Sequence, residues 1–466
     1  MKNERIYPRE KYLKRIRPFY DADIVKVITG IRRCGKSYLM KSVIKELLKD
    51  ANNENRIIYI PLDKRGFKNI KTPEQLEERI ESLIKDDGFY YLFIDEVQNV
   101  KGFESVVLAY QEEGYSVFLT GSNSYLLSDE ISTKLTGRYL TFETYPLDFA
   151  EYLEMKKFFR KEINSDADLE FNNYILNGGF PKSLEFDDIS TRQKYTREIV
   201  DEIFKKDVKS RHRVSNVSAF EKVQDFVVNN YSSPISVSNI VGALKDGGVE
   251  VKASTVRNYI RYLKAAKIIY ECPNFDTKSK KAIRGDTKYY VSDLSLYFSR
   301  NTNNQLNYGP SLENIIYLYF SSNNYQVSVG KIGNLECDFI IRDEKQEYVY
   351  VQVTYTLQGE DAKATEKIKK REYGPFEHIR DSYPRYIISF DKYRDQQDGV
   401  KHINALDLLL GKVTFWLCLC SQELKRYVPL LVSTRQKGIS FVVSIPLRLH
   451  ISSIGSLWDC REFETF

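Results

Sequence analysis

The sequence is short of the residues that build disulfide frameworks, metal centres and membrane spans. It has six cysteines among 466 residues, none of them in a CxxC pair, and its four histidines lie far apart. Neither a disulfide-stapled small domain nor a cluster of metal ligands is therefore predicted. No apolar run approaches the roughly 18 residues of a transmembrane helix, and the N-terminal segment lacks the apolar stretch of a signal peptide. We expect a cytoplasmic protein with reduced thiols and no membrane contact.

A large excess of charge of one sign is also lacking. Lys and Arg total 70 against 64 acidic residues, which gives a net charge of +6. This excess is too small for a protein that coats nucleic acid, although it permits a local basic patch. Hydrophobic residues make up 42% of the chain. That fraction is enough for ordinary cores in about two to four domains of roughly 100 to 200 residues each.

The sequence does contain, from residue 24 to about residue 143, an alternation of short apolar runs and amphipathic stretches. The predicted strands are Ile24–Ile28, Arg56–Ile60, Tyr90–Ile94, Ser116–Thr120 and Tyr139–Phe142. Thr72, Pro73 and Gln75 form a capping box with proline at the first helical position, which predicts the start of a helix. Such alternation is typical of an α/β fold with a mostly parallel sheet and helices on both faces.

The strongest motif is GIRRCGKS, which follows the first predicted strand and precedes an amphipathic helix. Its two glycines allow the backbone to curl around a phosphate, its lysine supplies a cation, and its serine hydroxyl completes a Mg²⁺ shell. The helix that follows directs its positive end at the same anion. The predicted nucleotide-binding residues are Gly30, Ile31, Arg32, Arg33, Cys34, Gly35, Lys36, Ser37 and Tyr38, with Ser37 also a ligand of the metal.

A second motif, YYLFIDE, is an apolar strand that ends in two acids, Asp95 and Glu96. In a P-loop protein such a strand is a Walker B element, in which Asp95 would hold Mg²⁺ and Glu96 would polarise the attacking water. Taken alone, the two acids could simply cap a strand end. With the phosphate loop upstream, the sequence predicts an ATPase that uses ATP and Mg²⁺.

Three further residues have more than one interpretation. Ser122 and Asn123 follow the next strand, where a polar side chain could touch the γ-phosphate or orient the water. An ordinary helix N-cap is the alternative. Arg138 could supply charge to the γ-phosphate, from the same or a neighbouring subunit, or could form a surface salt bridge. Whether the protein forms homo-oligomers stays open.

The motifs GIRRCGKS, YLFIDEVQN, FLTGSNSYLL, LTGRY with YPLDFAEYL, and GGFP at residues 178–181 together resemble a family of prokaryotic AAA-type ATPases. In that family an ATPase core precedes a C-terminal domain of unknown function. The resemblance runs from about Ile6 to Gly411. It implies Walker positions at Gly35, Lys36, Ser37, Asp95 and Glu96, a sensor at Asn123 and an arginine finger at Arg138.

Residues 216–300 have the layout of a winged helix, with three predicted helices and a hairpin. In a DNA-binding protein the third helix would expose Arg257, Asn258 and Arg261 to the major groove. The basic residues of the hairpin, which could follow phosphates, are Lys278, Lys280, Lys281, Arg284 and Lys288. Winged helices also bind proteins and cover AAA domains, so the partner is either duplex DNA or a protein.

Residues 301–412 resemble a restriction-endonuclease-like PD-(D/E)xK fold. Glu313 lies on a predicted helix and Asp338 on the first of two strands, where such nucleases carry an acid. On the second strand, Gln352 and Thr354 stand where Glu and Lys are needed to hold Mg²⁺ and activate water. We therefore predict a degenerate nuclease fold that serves in binding; the alternative is an ATP-regulated nuclease that cleaves DNA.

The predicted organisation is an ATPase core at 1–145, a helical lid at 146–215, the winged-helix-like domain at 216–300 and the nuclease-like domain at 301–412. Residues 413–466 contain both tryptophans and three of the six cysteines, and their apolar runs follow no period. They are predicted to be an atypical tail, of the kind that a shifted reading frame would produce. Two functions are predicted in this order: an ATP-driven switch or motor, and a nucleic-acid-cleaving enzyme. A slow nucleotide-binding regulator of the toxin or defence type is a third.

Overall fold

The computed structural model describes residues 5–50, 53–121, 137–210, 212, 214–301, 307–342, 347–393, 396–413 and 415. The chain divides into two compact units, Met1–Thr414 and Phe415–Phe466, and all that follows concerns the first. Of the helices in the described ranges, none is both long and apolar enough to cross a membrane.

The N-terminal part of the first unit contains a parallel sheet with five strands in the described residues. The strands are β1 (Val25–Thr29), β2 (Ile57–Pro61), β3 (Tyr91–Asp95), β4 (Ser116–Thr120) and β5 (Tyr139–Glu143), in the order β2-β3-β4-β1-β5. Every residue of β1, β3 and β4 is buried. Parallel strands covered on both faces have this pattern, which is why they appear in the sequence as continuous apolar runs.

Helices cover both faces of this sheet, as the sequence predicts. These helices are α1 (Glu10–Ile16), α2 (Lys36–Leu47), α3 (Pro73–Glu81) and α4 (Phe103–Glu112). Leu76 of α3 and Phe103 of α4 pack with Leu92 of β3 in one core. Leu13 of α1 and Val43 of α2 belong to a second core with strand residues of the opposite face. The predicted capping box at Thr72 and Gln75 is present at the start of α3.

A helical segment follows the sheet and ends beside the phosphate loop. It consists of α5 (Phe149–Phe158), α6 (Ala167–Asn177), a 3-10 turn (Pro181–Glu185), α7 (Ile189–Ile203) and a π-helical turn (Phe204–Lys209). Asp148 starts α5 with a capping box that it forms with Glu151. π-helical turns are rare and are frequently found at functional sites.

The remaining described residues form one mixed sheet with helices. Its N-terminal half contains α8 (Val217–Asn229), β6 (Pro234–Ile235), α9 (Val237–Asp246), α10 (Ala253–Ala265), β7 (Ile269–Asp276), β8 (Lys281–Val291) and α11 (Ser295–Phe298). Its C-terminal half contains α12 (Tyr308–Ser322), β9 (Gln326–Ile332), β10 (Leu335–Arg342), β11 (Tyr348–Val353), α13 (Ala362–Glu377), β12 (Arg385–Ser389), β13 (Val400–Asn404) and α14 (Ala405–Leu409).

Across the described strands the order of this second sheet is β13-β12-β11-β10-β9-β7-β8-β6. The hairpin β7–β8 and the C-terminal strands are therefore continuous. β7 pairs with β9 in parallel, with Asn274 opposite Val329 and Asp276 opposite Lys331. The sheet thus crosses the domain boundary expected near residue 300, and that boundary stays a prediction.

Candidate nucleotide-binding site

The loop between β1 and α2 has a backbone that requires glycine at its ends. Gly30 has φ of 139° and Gly35 has φ of 105°, a region that side chains with a Cβ rarely occupy. A Cβ atom on Gly30 would lie 2.0 Å from the carbonyl oxygen of Thr144. Close packing against the segment after β5 therefore fixes the loop, and α2 begins directly after Gly35.

Lys36, the first residue of α2, points its ammonium group into this loop. Its Nζ donates to the carbonyl oxygens of Gly30 at 3.1 Å and of Ile31 at 3.2 Å. Lys36 is only 6% exposed. The cation is thus held by weakly binding carbonyls at the position where an anion curled into the loop would meet it.

Asp95 lies opposite the loop at the carboxyl end of β3, with β4 between β3 and β1. Ser37 Oγ donates to Asp95 Oδ1 at 2.9 Å, Thr120 Oγ1 donates to the same oxygen, and Tyr59 OH donates to Oδ2 at 3.2 Å. Burial raises the pKa of the Asp95 carboxyl, against the lowering effect of the hydrogen bond from Thr120. Asp95 is therefore a fixed, dehydrated carboxylate in contact with a serine hydroxyl.

Glu96 turns out of the strand immediately after Asp95. Its φ of 58° places it in the left-handed region, and its backbone N–H donates to Thr120 Oγ1 at 3.0 Å. The Gln98 amide donates to its carboxylate. Thr120, at the carboxyl end of β4, therefore positions both acids. In the sequence, the only signal for this role is its place at the end of a predicted strand.

Both arginines of the loop are bound by the helical segment that follows the sheet. Arg32 contacts Asp207 of the π-helical turn through two bonds, Nε to Oδ2 at 2.9 Å and Nη2 to Oδ1 at 3.2 Å. Arg33 contacts Glu202 of α7 at 3.0 Å and 3.2 Å. Although burial acts to lower it, the hydrogen bond and charge of Asp207 raise the pKa of Arg32.

A buried arginine supports the loop from its other side. Arg9 Nη1 donates to the carbonyl oxygens of Cys34 at 3.1 Å and of Tyr145 at 2.7 Å, and Arg9 Nε donates to Glu151 at 2.8 Å. The Cys34 thiol is fully buried and donates to Thr144 O at 3.2 Å. Burial raises the pKa of this thiol, so Cys34 packs the loop and is not a reactive group.

Of the other predicted residues, Tyr38 and Arg138 lie in the described part of the structure. Tyr38 lies on the first turn of α2 and is 53% exposed. Arg138 pairs with Glu112 of α4 at 2.5 Å and precedes β5 at the amino end of the parallel sheet. The five-residue length of β1, about 16 Å, separates that end from the loop, so Arg138 does not reach the loop of its own subunit. Ser122 and Asn123 lie outside the described residues.

These residues fit a magnesium nucleotide. The loop backbone turns at Gly30 and Gly35 through positive φ angles, and the buried Lys36 ammonium points into the loop, where it is available to an anion. Ser37 and Asp95 present a hydroxyl and a carboxylate in mutual contact. Such hard oxygen atoms are the ligands that Mg²⁺ takes from proteins when substrate phosphates supply the rest.

The third helix beside the second sheet, α10, exposes the three side chains expected to face a partner, Arg257, Asn258 and Arg261.

The expectation for the hairpin lysines is partly wrong. Lys288 is 5% exposed and enclosed by carboxylates, so it cannot follow a phosphate backbone. Lys280 donates to Asp381 at 2.7 Å. Lys278 and Lys281 are exposed, and the side chain of Arg284 lies outside the described part of the structure.

Lys288 instead completes a buried ion cluster in the region that the sequence predicts to be nuclease-like. Its Nζ lies 2.7 Å from Glu336, 2.9 Å from Glu313 and 3.4 Å from Asp338. Burial acts to lower its pKa, but the three carboxylates together raise it above the usual value. Burial and the charge of Asp338 raise the pKa of Glu313, which also accepts from Tyr290 OH at 2.7 Å.

The side chains of Gln352 on β11 and of Thr354 just after it are neutral, as the sequence indicates, at the two positions where a nuclease needs Glu and Lys. Gln352 accepts from the backbone N–H of Asp338 at 3.2 Å and donates to Glu372 at 3.0 Å. Thr354 donates to the carbonyl oxygen of Thr356 at 3.2 Å. Both side chains are engaged in local hydrogen bonds within the fold.

Comparisons with known proteins identify two family domains in the chain. The model of an AAA domain matches residues 22–153, and that of a domain of unknown function (DUF8612) matches residues 168–306. An uncharacterized protein of Methanocaldococcus jannaschii is 32% identical over 407 residues, 84% of this chain and 87% of its own. One of Haemophilus influenzae is 29% identical over 408 residues, 86% and 98% of the two chains. The solved Walker-type ATPase of Pyrococcus abyssi aligns with a TM-score of 0.46 at 17% identity over 64% of this chain and 96% of that chain.

Proposed function

The chain belongs to the family of proteins that join an AAA domain to the DUF8612 domain, and we propose that it binds and hydrolyses ATP with Mg²⁺. The observation that carries the proposal is the convergence of a buried ammonium, a hydroxyl and a carboxylate, those of Lys36, Ser37 and Asp95, at the carboxyl end of one parallel sheet. Ligands of open α/β sheets bind at this end.

The loop would bind the phosphates of ATP through its backbone N–H groups and through Lys36, whose ammonium exchanges two carbonyl contacts for phosphate oxygens. Ser37 and Asp95 would hold the metal. Bound there, Mg²⁺ supplies charge neutralisation and a fixed geometry for the phosphates. Glu96, turned out of the strand beside Asp95, would accept the proton of the attacking water and orient it.

Two further residues, Asn123 and Arg138, complete the proposed site. Asn123 would report on the γ-phosphate from the end of β4. Arg138 would act as an arginine finger only on a neighbouring subunit, since its own loop lies about a strand length away. Activity that rises with protein concentration would support this assembly.

We further propose that ATP use switches the module formed by residues 216–300, whose helix order and hairpin follow a winged helix. Two ion pairs, Arg32 with Asp207 and Arg33 with Glu202, connect the phosphate loop to the segment that leads into this module. Duplex DNA or a protein partner is the target, and the exposed Arg257 and Arg261 of α10 support contact with an anionic surface.

The second candidate, an ATP-regulated nuclease, has weaker support. A nuclease site needs its carboxylates free for a divalent cation. Here the Lys288 ammonium lies among Glu313, Glu336 and Asp338, and Gln352 and Thr354 are neutral. Nicking of plasmid DNA with Mg²⁺ or Mn²⁺ that disappears in Asp338→Ala would reverse this order of preference.

The ATP proposal is tested by calorimetry and by steady-state phosphate release. We expect saturable ATP binding, weakened about 10- to 100-fold in Lys36→Ala because charge-assisted hydrogen bonds are lost. Lys45→Ala, an exposed lysine of the same helix, should bind like the wild type. Glu96→Gln should bind ATP normally but release phosphate at least about 100-fold more slowly. Absence of saturable ATP binding in the wild type would refute the proposal.

The partner is tested by the fluorescence anisotropy of labelled duplex DNA at low salt. If the target is DNA, replacing Arg257 and Arg261 together by alanine weakens binding and reduces its salt dependence. Lys278→Glu with Lys281→Glu has the same effect through exposed lysines. Wild-type protein that shows no affinity for the duplex would leave the protein partner as the proposal.

A further inference from the structure

A cleft of about 330 Å³ opens where the start of α6 meets the first residue of α12 and the carboxyl ends of β11 and β12. Its volume lies at the lower end of the range for small-ligand cavities. The cleft shares no residue with the phosphate loop or with the cluster around Lys288. It is therefore a site separate from both.

Four aromatic rings line the cleft in a continuous row. Tyr308 stacks on Tyr355 with centroids 4.6 Å apart and an interplanar angle of 28°. Phe390 contacts Tyr355 at 5.4 Å and Phe171 at 5.1 Å. Tyr355 is 41% exposed, so part of this aromatic surface is open to solvent. The face of an aromatic ring carries partial negative charge and attracts cations.

Two carboxylates add full negative charge to the same lining. Asp391 accepts from the backbone N–H of Leu357 at 2.7 Å, from Thr356 Oγ1 at 2.7 Å and from Ser389 Oγ at 2.8 Å. These partners are neutral, so they fix the carboxylate without cancelling its charge. Asp168 lies at the rim with its side chain 53% exposed.

Two side chains next to these carboxylates, Tyr355 and Lys392, interact with their charge. Burial, the neighbouring Tyr308, and the charges of Asp168 and Asp391 raise the pKa of the Tyr355 hydroxyl. Lys392 places its ammonium 3.9 Å from Asp168 although its side chain is 82% exposed. The rim therefore already attracts a cation from the surface.

We propose that this cleft binds an arginine side chain of a polypeptide partner. A guanidinium group is planar, stacks on aromatic faces, is weakly hydrated and pairs with carboxylates. It thus matches stacked rings flanked by Asp168 and Asp391. A nucleic acid could stack its bases on the same rings, but its phosphates would be repelled by the Asp391 carboxylate, whose hydrogen bonds from Leu357, Thr356 and Ser389 leave its charge in place. The inference goes beyond ATP binding and does not depend on it.

The test is saturation-transfer NMR of the full chain with the peptide acetyl-Gly-Arg-Gly-amide. We expect saturable binding at about 1 to 10 mM, a range suited to one side chain. The same peptide with citrulline, a neutral isostere of arginine, should bind at least about fivefold more weakly. Tyr355→Leu and Asp168→Asn should each weaken binding of the arginine peptide about 3- to 10-fold.

The matched control is Tyr393→Leu. Tyr393 is 82% exposed and near the cleft along the chain, but it does not line it, so the peptide should bind this variant like the wild type. Equal binding of the arginine and citrulline peptides, or unchanged binding by Tyr355→Leu, would overturn the proposal. So would binding of oligothymidylate that Tyr355→Leu abolishes, in protein that does not bind the arginine peptide, since the site would then be one for nucleic acid.

Discussion

At the scale of single residues, Lys288 connects a buried cluster of carboxylates. Its ammonium is the shared partner of three carboxylates, and it is 5% exposed. Removing one partner of a buried ion pair leaves the other charges without compensation. We therefore expect Lys288→Met to lower the free energy of unfolding by about 3 to 5 kcal/mol, measured by urea denaturation at pH 7.

Lys281→Met is the control for this prediction. Lys281 is an exposed residue of the same strand, β8, so its replacement should change stability by less than about 0.5 kcal/mol. Equal stability of the two variants would show that the ammonium of Lys288 does not contribute to the stability of the fold.

Asp293 provides a second prediction, which concerns pH. Its carboxylate accepts from the backbone N–H of Gly179 at 2.6 Å and from that of Ser295 at 2.9 Å. Burial raises its pKa to about 6, from an ordinary value of 3.8, despite the opposing hydrogen bonds of Ser295 and Gly179. The folded state therefore binds this proton more tightly than the unfolded state does, and protonation of Asp293 stabilises the fold. This contribution to the free energy of unfolding is complete below pH 4 and is lost as pH rises through 6.

The loss amounts to roughly 3 kcal/mol for a shift of about two pKa units. Asp293→Asn does not titrate, so the stability of the wild type relative to this variant should fall between pH 4 and pH 6. Urea denaturation of both proteins across that range measures the difference. A constant difference would mean that Asp293 has the same pKa in the folded and unfolded chains.

The residues of the phosphate loop could be found from sequence because they are contiguous and their spacing is set by the phosphate itself. The residues that hold the loop could not. Arg32 and Asp207 are 175 positions apart, and Arg9 and Glu151 are 142 apart. Only the folded backbone brings such pairs together, and neither pair lies in a pattern with a fixed period.

At the scale of elements, the π-helical turn Phe204–Lys209 anchors the phosphate loop through the Arg32–Asp207 pair. Asp207 is 5% exposed and Arg32 17% exposed in this pair, which has two hydrogen bonds. A double-mutant cycle with Arg32→Gln and Asp207→Asn should therefore give a coupling free energy of about 1 to 3 kcal/mol in thermal or urea unfolding.

The neighbouring ion pair, Arg33 with Glu202, serves as a control for this coupling free energy. Arg33 is 47% exposed and Glu202 21% exposed, so solvent screens their attraction and their coupling should stay below about 1 kcal/mol. Equal coupling in the two cycles would show that the π-helical turn holds the loop no more firmly than a surface contact does.

Helices and strands with a strong local sequence pattern could be predicted with end positions accurate to one or two residues. The strand expected at Ser116–Thr120 is β4 with the same bounds, and the capping box at Thr72 starts α3. The short strand β6 was not predicted, because two residues, Pro234 and Ile235, carry no periodic pattern. Its pairing with β8 depends on contacts that lie more than 50 positions away.

At the scale of the whole molecule, the hairpin β7–β8 belongs to the same sheet as the C-terminal strands. β7 pairs with β9, and β8 contributes Lys288 to carboxylates on α12 and β10. Sequence could indicate the helices and strands on each side of residue 300, but it could not indicate this pairing. A parallel connection between β7 and β9 has no turn motif that would mark it.

This continuity predicts that a chain ending at Asn301 will not fold like the full chain. Truncation there exposes the edge of β7 that pairs with β9, and an unpaired edge promotes association. It also removes Glu313, Glu336 and Asp338 and leaves the Lys288 ammonium without these partners. We expect the truncated chain to aggregate in size-exclusion chromatography and to be cleaved by protease within β7 and β8. A soluble monomer that unfolds at the same temperature as the full chain would show instead that residues up to 301 form an independent folding unit.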